Sequence, residues 1–233
     1  MNTLMLLAGG SGSRINSGIA KQHIVVENNQ LIEYTLKAFD SSNAIDNIVI
    51  VCNSEYLEQI EELKKKYDKI SKIVPGGVTR IQSVKNGVRA LEAASDDKII
   101  ISDAARPCIS GSEIRGLVDS LDYYKAVTTG INCYETLLKV EGARISQIIS
   151  RDGIVRQTSP EGYRYSVLKL LYIDATEEII SSYSNIGIDQ LHASGIEVGI
   201  VPSSQLNFKI TTPEDLIIFE SIVKNDFDKI INR

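Results

Sequence analysis

Cysteine and histidine are scarce in this chain. Its 233 residues hold three cysteines (Cys52, Cys108, Cys133) and two histidines (His23, His192). The cysteines are far apart and odd in number. That speaks against a disulfide framework or a cysteine-based zinc site, makes buried packing their expected role, and suggests a reducing cytoplasm. Two histidines are too few for a histidine-rich metal site, and His192 reads as a surface residue on a short helix. Long apolar runs are also missing. None approaches the roughly 18 residues that span a bilayer, so no membrane association is expected. The segment Met1–Ala8 is apolar, lacks a basic start and stops at glycines, so it reads as a buried strand rather than a signal peptide. Nor is positive charge in surplus. Lys plus Arg is 25, Asp plus Glu is 30, and the net charge is −5. A protein that coats nucleic acid needs the opposite balance, although a local basic pocket for a phosphorylated ligand stays open.

What is present is ordinary for a soluble globular protein: 43% hydrophobic and 24% charged residues. Internal repeats, low-complexity tracts and linkers are absent. One domain over residues 1–233 is expected, with an ample core. Apolar runs at Leu4–Leu7, Ile48–Cys52, Lys98–Ser102, Ala126–Thr129 and Ile196–Val201 read as strands buried on both faces of a parallel sheet. Helical spacing marks Leu31–Phe39, Ser54–Tyr67 with Ser54 as its cap, and Arg80–Leu91. Alternating strand and helix predicts an α/β sheet with helices on both sides, binding ligands beyond the strand C-termini. Thr136–Val155 breaks the rhythm. It alternates roughly, with turns at Glu141-Gly142 and Asp152-Gly153, and reads as projecting hairpins suited to a dimer contact. A last helix follows Thr212 as cap, Pro213 at its first position and Asp215 at the capping-box position.

Four stretches carry candidate chemistry. Leu7-Ala8-Gly9-Gly10-Ser11-Gly12-Ser13-Arg14, with Lys21-Gln22 beyond it, puts three glycines and two cations after a strand. Glycines let backbone N–H groups wrap phosphate oxygens, and Arg14 and Lys21 can reach the same polyphosphate. A tight turn with two solvated cations is the plainer alternative, and the placed cations favour phosphate. The loop is neither a Walker loop nor a dinucleotide fingerprint. Ser102-Asp103-Ala104-Ala105-Arg106-Pro107 sets an acid at a strand end, where it either meets a divalent metal or caps a turn and pairs with Arg106. Gly76-Gly77-Val78-Thr79-Arg80-Ile81-Gln82-Ser83 by itself is an ordinary loop-to-helix junction, and Lys209 in Asn207–Asp215 by itself is an ordinary solvated lysine.

Together and in this order, these stretches resemble the 2-C-methyl-D-erythritol 4-phosphate cytidylyltransferase and ribitol-5-phosphate cytidylyltransferase family. The resemblance runs from Leu4 to about Ile222. It implies a three-layer α/β/α nucleotide-diphospho-sugar transferase fold, Rossmann-like, with a projecting arm at about residues 132–157 that makes a homodimer. It implies a cytoplasmic enzyme that moves CMP from CTP to a polyol phosphate with Mg²⁺. Its product would feed isoprenoid, cell-wall or capsule synthesis.

The resemblance also implies roles. Ala8, Gly9, Gly10, Ser11, Gly12, Gly77 and Ser83 would hold the nucleotide. Arg14, Lys21 and Lys209 would act on the phosphates, and Asp103 would meet the metal and ribose. Arg106, Thr136, Arg151, Ser159 and Asp189 would surround the acceptor, with Thr136 and Arg151 supplied by the partner's arm. Some positions depart from the pattern. Ala20 stands for a proline, His23 for an aromatic or hydrophobic residue, Ser159 for a threonine, and Ile188 for the threonine before Asp189. These bear on the acceptor, leaving an unusual polyol or sugar phosphate open. Two further alternatives are a non-catalytic nucleotide-binding homologue and a transferase using UTP or GTP. Retention of Arg14, Lys21, Asp103 and Lys209 argues against the first. The Gly76–Ser83 stretch and the short chain argue against the second.

Overall fold

A computed structural model describes residues 1–10, 20–176 and 187–233. Its strands are β1 (Asn2–Ala8), β2 (Val25–Val26), β3 (Asn29–Gln30), β4 (Asn47–Cys52), β5 (Ile70–Pro75), β6 (Lys98–Asp103), β7 (Ala126–Asn132), β8 (Leu137–Glu141), β9 (Arg144–Ile149), β10 (Val155–Arg164) and β11 (Val198–Pro202). Seven form one sheet in the order β11-β7-β10-β6-β1-β4-β5. Only β10 runs against the rest, pairing antiparallel with both β6 and β7.

The apolar runs explain the sheet. Leu4 and Leu6 enter one buried cluster, with Leu36, Phe39, Leu117 and Phe219. Met5, between them, enters another with Val84, Val88 and Leu168. Alternate side chains point to opposite faces, so a strand covered on both sides must be apolar throughout. The covering helices include α1 (Leu31–Asp40), α2 (Leu57–Glu61), α3 (Arg80–Ala90), α4 (Gly111–Ser120) and α5 (Tyr165–Lys169). A sheet between helical layers is the expected architecture, and antiparallel β10 makes it mixed where a parallel sheet is expected from the apolar runs.

Sequence and structure differ in places. Asn53, not Ser54, caps the segment after β4: its side chain accepts from Glu55 N–H. That segment is one helical turn, α2, between two 3-10 pieces. Strand β10 was not legible because Gln157–Glu161 is polar and carries Pro160. The strand tolerates proline there because its register shifts between Thr158 and Glu161, at a bulge. The expected turns at Gly142 and Gly153 are present, with φ of +60° and +74°. Pro213–Asn225 is helical, and the Thr212 side chain accepts from Asp215 N–H, as the capping pattern predicts.

Close packing fixes α3 on the sheet. A Cβ on Gly87 would come 2.6 Å from Met5 Sδ and 2.9 Å from Val51 Cγ2. Overpacking costs about 1–3 kcal/mol, partly offset by the ~1 kcal/mol better helix propensity of alanine. Gly87→Ala is therefore expected to lower Tm by a few degrees. An unchanged Tm would show that Met5 and Val51 give way freely.

Candidate active site

The chain runs outward from β1 through β4 to β5, then returns to β6 on the other side of β1. The crevice beyond the C-termini of β1 and β6 is thus a topological switch point, where α/β sheets bind ligands. A pocket opens there. Its lining includes Gly9 and Gly10 after β1, Lys21 and Gln22, the loop from Gly77 to Arg80 with Ser83, Asp103 to Ala105, and Lys209.

The first wall follows β1. Gln22 is buried, and its Nε2 donates to the Ala8 carbonyl at 2.8 Å. Lys21 lies along Gly10: a Cβ on that glycine would meet Lys21 Cε at 3.4 Å. Lys21 Nζ donates to the Ile210 carbonyl at 3.1 Å, which brings it beside Lys209. Ser11, Gly12 and Arg14 lie outside the described residues.

The second wall is the end of β6. Asp103 Oδ2 meets Lys209 Nζ at 3.0 Å and Arg106 Nε at 3.4 Å. Burial pushes the Asp103 carboxyl up, but the charges of Lys209, Arg106 and Arg80 outweigh it and hold the pKa below the usual range. Lys209 is therefore a paired lysine rather than a solvated one. Arg106 is used as a strut. Its Nη1 donates to Thr158 Oγ1 at 2.7 Å and to the Asn207 carbonyl at 2.9 Å. Asn207 is fully buried, and its Nδ2 holds the Ser159 carbonyl at 2.9 Å. These bonds join β6, β10 and the Lys209 loop into one rigid frame.

The third wall is the junction into α3. Thr79 caps the helix, and Gln82 reaches back to the Thr79 N–H. Ser83 Oγ accepts from Gly77 N–H at 3.0 Å and donates to the Thr79 carbonyl at 3.0 Å. A Cβ on Gly77 would lie 2.3 Å from Gln82 Cβ, so only glycine fits that turn.

The lining charges are Lys21, Arg80 and Lys209 against Asp103 alone, three cations to one anion. With exposed glycine backbone beside them, they suit a polyanion. The described lining contains neither histidine nor cysteine, so it holds no Ser–His or Cys–His pair. Among those residues there is also no group of three potential metal ligands.

Within one chain, then, Gly9, Gly10, Lys21, Gly77, Ser83, Asp103 and Lys209 surround one pocket, with Ala8 directly behind it. Arg106 backs Asp103 instead of lining the pocket, and Ser159 is buried beside Asn207. Thr136 and Arg151 are exposed on the arm, where Arg151 Nη1 donates to the Tyr134 carbonyl. Asp189 is exposed in the first turn of helix Ile188–Ala193. Sequence reasoning gave no role to Arg80, Asn207 or Glu161, although the first two fall inside stretches it singled out. Glu161 is buried, with Tyr163 Oη at 2.6 Å and Gln157 Nε2 at 3.0 Å, and burial raises its pKa. A buried acid in a polar run has no periodic signal.

The family model for IspD, 2-C-methyl-D-erythritol 4-phosphate cytidylyltransferase, matches residues 3–225. The 2-C-methyl-D-erythritol 4-phosphate cytidylyltransferase of Thermotoga neapolitana is 33% identical over 224 residues, covering 96% of this chain and 97% of that protein. The one from Clostridium botulinum strain Loch Maree is 32% identical over 228 residues, covering 96% and 97%. Among solved structures, 4-diphosphocytidyl-2C-methyl-D-erythritol synthase from Anaerococcus prevotii has a TM-score of 0.81, covering 97% of this chain and 96% of that one. Its identity is 23%, so that likeness shows the fold.

Proposed function

Because the chain belongs to the 2-C-methyl-D-erythritol 4-phosphate cytidylyltransferase family, we propose that it transfers CMP from CTP to 2-C-methyl-D-erythritol 4-phosphate, releasing pyrophosphate, in a step of isoprenoid precursor synthesis. The observation that carries this reading is the pocket at the β1–β6 switch point, with three cations, one carboxylate and a glycine backbone.

The chemistry asks little covalent work of the protein. A phosphate oxygen of the acceptor attacks the α-phosphorus of CTP in line. A new phosphorus–oxygen bond forms, the bond to the β-phosphate bridge breaks, and pyrophosphate leaves with the electron pair. No proton needs to move. Catalysis is positioning plus neutralisation of growing charge. Gly9 and Gly10, with Ser11 and Gly12 beyond them, cradle the nucleotide. Gly77 and Ser83 face the base. Lys21 and Arg14 stabilise charge at the α-phosphorus, and Lys209 completes the cage.

Asp103 suits a divalent cation. Both of its ion pairs use Oδ2, so Asp103 would offer Oδ1 to a metal. A single carboxylate matches Mg²⁺, which takes one or two carboxylates and completes its shell with phosphates and water. When bound, Mg²⁺ would neutralise phosphate charge beside Asp103.

The arm supports a homodimer with a shared site. Leu138 faces Ile148 and Val140 faces Ile145 across β8 and β9, and all four are 46–69% exposed. Such a stripe calls for a covering surface. We place Thr136 and Arg151 from that arm at the partner's acceptor subsite, with Arg106, Ser159 and Asp189 on the same side. The whole chain is read as one catalytic domain with this arm. No described helix is long and apolar enough to cross a membrane. The cytoplasm, where CTP is made, is the proposed location.

The test is pyrophosphate release with CTP, Mg²⁺ and a panel of methylerythritol 4-phosphate, ribitol 5-phosphate, glycerol phosphates and sugar phosphates. Release with methylerythritol phosphate is expected. Release only with another acceptor would move the protein to a different polyol, and release with UTP alone would overturn the base assignment. Arg151→Ala is expected to lose activity and to regain part of it when mixed with Lys21→Ala. Mixed dimers carry one intact site if the arm acts across the interface, so absence of recovery would place Arg151 in its own chain's site.

A further inference from the structure

The turn that carries Lys21 contains a buried group that the reaction does not use. His23 is 6% exposed. Its ring stacks on Tyr56, with centroids 4.2 Å apart and planes at 28°. Its Nδ1 lies 2.8 Å from Gln30 Oε1, an oxygen that also accepts from Gln59 Nε2 at 3.2 Å. An oxygen accepts, so the proton is on Nδ1. The other nitrogen, Nε2, is buried with no hydrogen-bond partner among the described residues. A charged ring would have to bury a second N–H there without an acceptor, so the neutral ring is the one that fits.

These contacts tie the turn to separate pieces of the fold. Gln30 caps α1, where its N–H donates to Glu33 Oε2 at 2.9 Å. Tyr56 and Gln59 belong to the segment after β4. The turn itself is closed by His23 N–H to the Ala20 carbonyl at 2.9 Å and Ile24 N–H to the Lys21 carbonyl at 3.1 Å. Its inner end holds Ala8 through Gln22 and reaches Ile210 through Lys21. A lysine stem is flexible, so where its ammonium sits depends on the backbone beneath it.

We propose that His23 is a positioning residue for Lys21: its stacked, neutral ring pins the turn Lys21–His23 at the height from which Lys21 reaches the reacting phosphate. This rests on the function proposed above. The test is a double-mutant cycle on the full-length protein, with kcat from pyrophosphate release, CTP affinity from titration, and Tm on each variant. His23→Ala is expected to lower kcat about tenfold and change CTP affinity less than about threefold, while His23→Phe, which keeps the stack, returns to within about threefold of the original. In a Lys21→Ala background, His23→Ala should change kcat by less than about twofold, because the residue acts through Lys21. Should His23→Ala not fold, His23→Leu fills the space without the stack and takes its place. Equal losses in both backgrounds, or a lower Tm with kcat unchanged, would overturn the proposal and leave the transferase reading intact. A Lys21→Ala protein as active as the original would strike the role of Lys21 itself, and this proposal with it.

Discussion

Lys21→Ala is expected to lower kcat by about 10²–10³, with a much smaller change in the KM for CTP. The ammonium matters most when charge gathers on the phosphate oxygens, so its loss falls on the transition state more than on binding. Removing one such charge-stabilising group costs about 3–4 kcal/mol, which sets the factor. Stability should fall by less than the barrier rises. Lys21 donates a hydrogen bond to the Ile210 carbonyl at 3.1 Å, and a bond from a charged donor contributes about 1.5–3 kcal/mol. Steady-state kinetics beside thermal melts separate the two effects. A kcat within twofold of the original would remove Lys21 from the reaction. Lys21→Arg is not expected to restore full activity, because a planar fork cannot occupy the place of a compact point charge against Gly10.

Asp103→Asn should be nearly as damaging, for a different reason. The carboxylate anchors Lys209 at 3.0 Å and Arg106 at 3.4 Å. Asparagine keeps the shape and removes the charge, leaving largely buried Arg106 and partly exposed Lys209 facing a neutral amide. Breaking a buried pair from one side costs about 3–5 kcal/mol of stability, and the solvent around Lys209 brings the cost here below that range. The same change removes the carboxylate proposed for Mg²⁺ and loosens Lys209, so kcat is expected to fall by at least about 10². The pH dependence has a definite sign. Burial raises the Asp103 pKa and the neighbouring cations lower it further than that, so the folded value lies below the unfolded value of about 3.9. The stability it contributes is complete above about pH 4 and is lost as pH falls through the folded value. Denaturant midpoints of the original and Asp103→Asn proteins should therefore differ at pH 7 and converge below pH 4. A constant difference down to pH 3 would mean that the charge of Asp103 is not what the cations require.

Much of this was legible in the chain. Leu4–Leu7 and Ile48–Cys52 are apolar at every position because helices cover both faces of their strands, and that alone marks a layered α/β sheet. The glycine loop after β1, Asp103 at the end of β6, the Gly76-Gly77 junction and Lys209 were visible because turns and strand ends demand particular residue types. Their convergence was implied only by the family resemblance, not by those local rules. Lys209 reads as a solvated lysine until the fold carries it to Asp103, across more than a hundred residues of chain. Arg106 reads either as the partner of Asp103 or as an acceptor contact, and only the fold shows that its Nε and Nη1 go to Asp103, Thr158 and the Asn207 carbonyl. Strand β10 looks like a loop, because a bulge lets proline and buried Glu161 sit in the sheet.

The sequence by itself thus determined the class of fold, the order of the motifs and the kinds of charge at the site. These follow from local rules: periodicity, glycine freedom and helix capping. Only the tertiary structure decided which charges meet, which are spent on holding the frame, and that His23, at the end of the Lys21 turn, stacks on Tyr56. Those outcomes depend on distances between residues far apart in the chain, and side-chain chemistry alone does not specify them.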